Sequence, residues 1–234
     1  VFAFRETHDL DPDPAAGGRR VEVAFTDSSL DLQEGEGVTA ALAVLGAELD
    51  VAFARVSQVH GDDVVVVDGA TELGGGAVGV ADGVVTRERR TALVIRVADC
   101  VPVLLADPAA GVVGAAHAGR LGVELDVVTR TVERMRALGA TDVRAWVGPH
   151  ICGGCYEVPA GMRDEVAAAV PQTYAETTWG TPALDLGAGV TAQLTAAGVD
   201  VTVVPGCTRE DHGLHSYRRD GAGAGRFAGL VWLP

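Results

Sequence analysis

Between Val64 and Ala116 the chain spells five short β-branched runs: Val64–Val67, Gly83–Thr86, Ala92–Val97, Val103–Ala106 and Val112–Ala116, set apart by Gly, Asp and Pro. Runs of this length and composition are strands. Connections this short favour antiparallel or mixed pairing, because a parallel pair needs a crossover of about a dozen residues or more. A simple doubly wound nucleotide fold is disfavoured on that ground alone. The glycine-rich stretch LGGGAVG, Leu73 to Gly79, also lacks G-x-G-x-x-G spacing between a strand and a helix, and reads as a flexible loop.

The flanking sequence supplies the helices. VEVAFT, Val21 to Thr26, reads as an opening strand, and Val38 to Leu49 has the apolar density of a helix packed on a sheet. After His117, the residues Leu121, Leu125, Val128, Val132 and Met135 recur at steps of three and four, which predicts one amphipathic helix closed by Gly139. A strand at Val143–Val147, helices at Met162–Val170 and Gly189–Ala197, a strand at Val201–Val204 and a closing strand in FAGLVWL complete the reading. The expected class is α+β, layered mixed β-sheets covered by helices, in a single domain over residues 1–234 with no repeat and no linker.

Charge and composition narrow the chemistry. A net charge of −14 repels phosphate backbones and argues against nucleic acid as a partner. All 18 basic residues are Arg, which removes Schiff-base lysines and P-loop lysines together. VFAFRETHDLDPDP holds no apolar run behind positive charge, so neither a secretory signal nor a membrane anchor is read there and a cytoplasmic protein is expected. In that compartment Cys100, Cys152, Cys155 and Cys207 stay reduced, as thiols or ligands.

Three segments place a metal-ligand type at the end of an apolar run: QVHG with His60, ADCVP with Cys100 and AAHAG with His117. Two imidazoles and a thiolate suit Zn²⁺ and leave a fourth position open, the arrangement of catalytic zinc. Spacing alone does not assign the metal, and a Cys100 thiolate with His117 as its base is an equally coherent metal-free nucleophile. His117 also precedes the predicted helix, whose N-terminus would favour an anion. Copper can occupy a His-Cys-His set, but six histidines without a His-x-His pair argue against a multicopper oxidase. Cys152-x-x-Cys155 resembles half of a zinc knuckle; with no second CxxC it reads instead as a glycine-rich loop near the cleft. Arg218, Arg219 and Arg226 sit among flexible glycines, where guanidinium forks suit phosphate, or equally pair with acids on an acidic surface.

Taken in order, QVHG, VADCVPVLLAD, GAAHAGRLG, GPHICGGCYEV and CTREDHGLHSYRRDGAGAGR resemble the motifs of the YfiH-like laccase-domain, or polyphenol oxidase, proteins, regarded as enzymes of purine nucleosides. The resemblance runs from Gln58 to the end of the chain. It implies a layered α+β fold and zinc held by His60, Cys100 and His117. It further implies phosphorolysis of adenosine, inosine, guanosine and methylthioadenosine, and deamination of adenosine, with nucleoside and phosphate as partners. On that reading Asp99 is a candidate proton carrier, and Gln58, Arg120, Arg218, Arg219 and Arg226 are candidate substrate contacts. Some proteins of this kind are described as peptidoglycan editing factors, so an amidase acting on a muropeptide precursor is the alternative. Two departures bear on the substrate: Arg120 and Leu121 stand where the family motif HAGWRG has Trp and Arg, and FTDSSLDLQEG, Phe25 to Gly35, is shorter than the family's N-terminal segment and lacks its arginine.

Overall fold

A computed structural model describes residues 1–9, 20–73 and 76–234. Its strands are β1 (Phe2–Asp9), β2 (Arg20–Thr26), β3 (Ala52–Ser57), β4 (Val64–Val67), β5 (Ala77–Val80), β6 (Gly83–Thr86), β7 (Thr91–Val97), β8 (Val101–Asp107), β9 (Val112–Ala118), β10 (Arg144–Val147), β11 (Tyr174–Glu176), β12 (Pro182–Leu184), β13 (Asp200–Val203) and β14 (Phe227–Trp232). Its helices are α1 (Glu36–Leu49), α2 (Arg120–Glu124), α3 (Val127–Ala137), α4 (Ala160–Ala169), α5 (Leu186–Ala196) and α6 (Tyr217–Asp220). One six-stranded sheet runs β1-β2-β14-β7-β3-β5 and a second runs β13-β10-β8-β9-β6-β4; β11 and β12 form a separate hairpin. The class is α+β with mixed sheets, as the strand pattern predicts.

Period-two alternation explains how the layers stack. On β14, Phe227 and Val231 face the space between the sheets, whereas Ala228, Leu230 and Trp232 pack with Leu42 and Leu45 of α1. On β8, Leu104 and Ala106 join the inter-sheet core, whereas Val101, Val103 and Leu105 pack under α3 and α5. The order is therefore helix, sheet, sheet, helices. Phe25 fills the centre of the inter-sheet core with no exposed surface. Gly148 makes room for it, since a Cβ there would lie 2.3 Å from the ring.

Several expectations need correction. The helix predicted after His117 is two helices, broken at Asp126, which takes a left-handed φ of 59° and accepts a hydrogen bond from the Thr129 N–H to cap α3. Leu121 and Leu125, counted as core from their spacing, are about half exposed, at 44% and 46%. Ala77 to Gly79, the end of the stretch read as a flexible loop, belongs to β5, while residues 74–75 lie outside the described residues. Strand β1 was not apparent in the sequence, because its alternation is interrupted by charged residues. β4 and β6 pair in parallel despite their closeness in sequence. The chain satisfies the crossover requirement by visiting the opposite sheet as β5 between them.

Candidate metal centre

Two loops and a strand end meet at one end of the sandwich. His60 follows β3 and Cys100 lies in the tight turn between β7 and β8, while His117 lies within β9, opposite Pro102 of β8. Their ligand atoms all lie within 4.8 Å of one another. His60 Nε2 is 3.8 Å from Cys100 Sγ, and the two imidazoles meet edge to face with ring centroids 4.7 Å apart. Gly119 permits this approach, because a Cβ there would stand 2.5 Å from His60 Cδ2 and 3.2 Å from Cys100 Sγ.

Asp82, between β5 and β6, organises the group. Its carboxylate is fully buried. Oδ2 accepts from the backbone N–H of Val59 (3.1 Å) and Gly61 (2.6 Å), and Oδ1 from the N–H of His60 (3.0 Å). These bonds hold the loop with His60 at a left-handed φ of 62°, an uncommon conformation for a side-chain-bearing residue. The His117 Nδ1–H donates to the same Oδ1 at 2.7 Å, which leaves Nε2 as the free ligand atom. The carboxylate, rather than a helix terminus, orients His117: α2 is only five residues long.

Burial disfavours charge on Cys100, but the neighbouring His117 charge and hydrogen bonds from His117 and His60 outweigh it and bring the thiol down to about 6. Burial likewise works against the His117 imidazolium, which the Cys100 thiolate and the Asp82 carboxylate raise to about 9. The metal-free protein thus holds a thiolate–imidazolium pair. A cation entering the site meets a thiol already deprotonated at neutral pH and must displace the His117 proton. Two borderline imidazoles, one soft thiolate, an outer carboxylate on one imidazole and one open side fit zinc.

The open side faces a cleft of about 710 Å³ that also exposes Arg96, Tyr156, Tyr217, Arg218 and Arg226. Gln58 and Asp99 line it too. The Gln58 amide is bound to β7, donating to the Arg96 carbonyl at 2.8 Å and accepting from the Arg96 N–H at 2.9 Å. The Asp99 carboxylate accepts from Thr208 Oγ1 (2.6 Å), Ser216 Oγ (2.7 Å) and the Arg218 N–H (2.6 Å). It pins the C-terminal segment over Cys100, and a proton carrier would have to give up those donors. Arg120, paired with Glu124 at 3.0 Å, and Arg219, which donates to the carbonyls of Thr208, Asp211 and Leu214, are not among the cleft's lining residues.

Asp82, Arg96, Tyr156 and Tyr217 are among the site residues that sequence reasoning missed. Arg96 interrupts an apolar strand and pairs with Glu34 at 2.7 Å, as does Arg55 at 3.0 Å. Its Nε is buried with no protein partner. Asp82 likewise stands alone among apolar and small residues in GVADGVV. A single buried charge inside an apolar run was the available signal for both.

The family model described as multi-copper polyphenol oxidoreductase laccase matches residues 26–234. The chain belongs to that family. A protein of Streptomyces griseus named purine nucleoside phosphorylase ORF3 is 56% identical over 182 residues, 76% of this chain and 73% of its own length. A purine nucleoside phosphorylase of Streptomyces coelicolor is 54% identical over 202 residues, 84% of this chain and 82% of its own. The crystal structure of Bacillus licheniformis hypothetical protein YfiH superposes with a TM-score of 0.81 at 24% identity, covering 92% of this chain and 93% of that one, a likeness of fold. The laccase-domain resemblance read from the motifs is therefore correct. Among the described residues no helix is long and apolar enough to cross a membrane.

Proposed function

We propose that this chain is a zinc-dependent purine nucleoside phosphorylase, with His60, Cys100 and His117 holding the metal. The observation that carries this reading is a three-ligand group opening into an arginine-lined cleft; the names of its relatives support it. The cleft volume, about 710 Å³, suits a nucleoside. In the reaction the ribose C1′–N9 bond breaks, a C1′–O bond to phosphate forms, and the purine leaves with a proton. Zinc, when bound, supplies a Lewis acid at the floor of the cleft.

The chain's own residues would orient the two substrates. Arg96 sits between the charges of Arg55 and Arg226 with Glu34 as counter-charge; burial first, then that crowding, lowers its affinity for a proton. An anion beside Arg96 and Arg226 relieves the excess positive charge, which makes this wall the phosphate subsite. Tyr156, beneath the Arg218 guanidinium at 5.0 Å, and Tyr217 offer aromatic faces for the purine. Deamination of adenosine, water replacing the C6 amine with loss of ammonia, is the second activity proposed for this centre, because one side of the ligand set is open to the cleft.

A metal-free hydrolase is the rival that one observation favours: Cys100, His117 and Asp82 stand in the order of a nucleophile, base and orienting acid. The test incubates inosine and adenosine with the zinc-loaded protein, with and without phosphate. Ribose 1-phosphate formed only with phosphate, and reduced at least tenfold in Arg226→Gln mainly through the KM for phosphate, is the expected result. Base release that ignores phosphate would refute phosphorolysis. Release of an amino acid from a muramyl peptide precursor, with nucleosides untouched, would establish the amidase instead.

A further inference from the structure

The three cysteines outside this centre also lie together. Cys152 and Cys155 occupy one tight turn, in which the Cys155 N–H donates to the Cys152 carbonyl at 2.9 Å. Cys207 and Glu210 occupy another with the same spacing, the Glu210 N–H donating to the Cys207 carbonyl at 3.1 Å. Backbone bonds from the His150 N–H to Gly206 (3.2 Å) and from the Thr208 N–H to His150 (3.1 Å) set the two turns face to face. The sequence offers only one CxxC; the fold supplies its other half as Cys207-x-x-Glu210.

The three Sγ atoms and a Glu210 carboxylate oxygen all lie within 4.8 Å of one another. With metal–sulfur bonds of about 2.3 Å, the corners of a tetrahedron stand about 3.8 Å apart, so modest side-chain adjustment closes the set around one ion. The contacts within it suit a cation. The Cys152 N–H points at Cys207 Sγ (3.5 Å), a backbone donor of the kind that supports a bound thiolate, and the Cys155 thiol donates to Glu210 Oε1 at 3.3 Å.

We propose that Cys152, Cys155, Cys207 and Glu210 form a second metal site, a closed four-ligand site for zinc or another thiophilic divalent cation. It is distinct from the open three-ligand centre and structural in purpose. As the ion binds, three thiol protons pass to solvent, and no oxidant is required. Three thiolates and a carboxylate leave the occupied site at −2, and the Arg209 guanidinium, close to Cys155 and lying 4.6 Å over the Trp179 ring, supplies opposing charge.

The site joins two segments that build the cleft. Tyr156, which lines the cleft, follows Cys155 directly, and Thr208, which follows Cys207, donates to Asp99 beside Cys100. The second ion therefore holds the wall against which the first site opens.

Cobalt(II) titration of the full-length, metal-stripped, reduced protein tests this without reference to activity. Wild type takes up two equivalents. A His60→Ala/Cys100→Ser double variant keeps one, with the intense thiolate-to-cobalt absorption of a three-thiolate site. Cys152→Ser/Cys207→Ser keeps one with only the weak band of a single thiolate. If that second variant fails to fold, the first decides the matter alone. A double variant lacking the first centre that takes up no cobalt overturns the proposal. So does a disulfide among Cys152, Cys155 and Cys207 that persists in freshly isolated protein.

Discussion

Replacing Asp82 by Asn changes one atom and almost no volume, so it isolates what the carboxylate does. Each of its oxygens accepts twice, Oδ1 from His60 N–H and His117 Nδ1–H, and Oδ2 from Val59 N–H and Gly61 N–H. An amide has one oxygen, so in either orientation its NH₂ faces two donors. Facing His117, it drives the imidazole proton to Nε2, the ligand position; facing Val59 and Gly61, it releases the loop that carries His60. Two bonds to a charged, buried acceptor at about 1.5–3 kcal/mol each give a loss of about 3–6 kcal/mol. That loss is divided between apo-protein stability and metal binding. Loss of an outer-shell carboxylate commonly lowers metal affinity about 10–100-fold. Chelator competition measures the zinc affinity, and chemical unfolding of the metal-free protein measures the remainder. An Asp82→Asn protein with zinc affinity within about twofold of wild type and unchanged unfolding would refute the reasoning.

Further outcomes follow from single contacts. Gly119→Ala places a Cβ 2.5 Å from His60 Cδ2, so zinc content should fall sharply while the far-ultraviolet dichroism stays native; full occupancy would contradict the packing. In metal-free protein, alkylation of Cys100 should rise through a midpoint of about 6 rather than the ordinary 9.0, and a midpoint at the ordinary value would remove the ion pair. Asp107, fully buried, accepts from the N–H groups of Ala110, Thr141 and Asp142, and Asp107→Ala should lower stability by about 2–5 kcal/mol. Burial opposes the Asp107 charge, but those donors hold its carboxyl below the usual 3.8. Its stabilisation is therefore full above pH 3.8 and fades as pH falls through the lower folded value, so wild type should lose more stability on acidification than Asp107→Ala.

The strands that carry His60, Cys100 and His117 were legible because they alternate or run apolar between punctuating Gly, Asp and Pro. The candidate ligands themselves stood out as reactive residues at the ends of such runs. What joins them did not, since Asp82 acts through hydrogen bonds to residues more than twenty positions away and follows no spacing rule. Arg96 showed only as a lone charge in an apolar strand, and its partner Glu34 comes from a distant loop. The break at Asp126 was hidden because the apolar steps continue across it; only the left-handed cap separates α2 from α3. Of the arginines singled out by composition, Arg218 and Arg226 reach the cleft, whereas Arg219 is occupied by backbone carbonyls. Local sequence does not distinguish a guanidinium aimed at a ligand from one closing a loop.

The central claim joins one metal centre to one reaction, and a single series of samples tests it: inosine with phosphate, given to wild-type protein as isolated, after chelation and after zinc is restored, beside Cys100→Ser treated in the same way. The account predicts that ribose 1-phosphate formation disappears on chelation, returns with zinc in wild type, and does not return in Cys100→Ser. Full turnover by the chelated wild type, or full recovery by the variant, would contradict it.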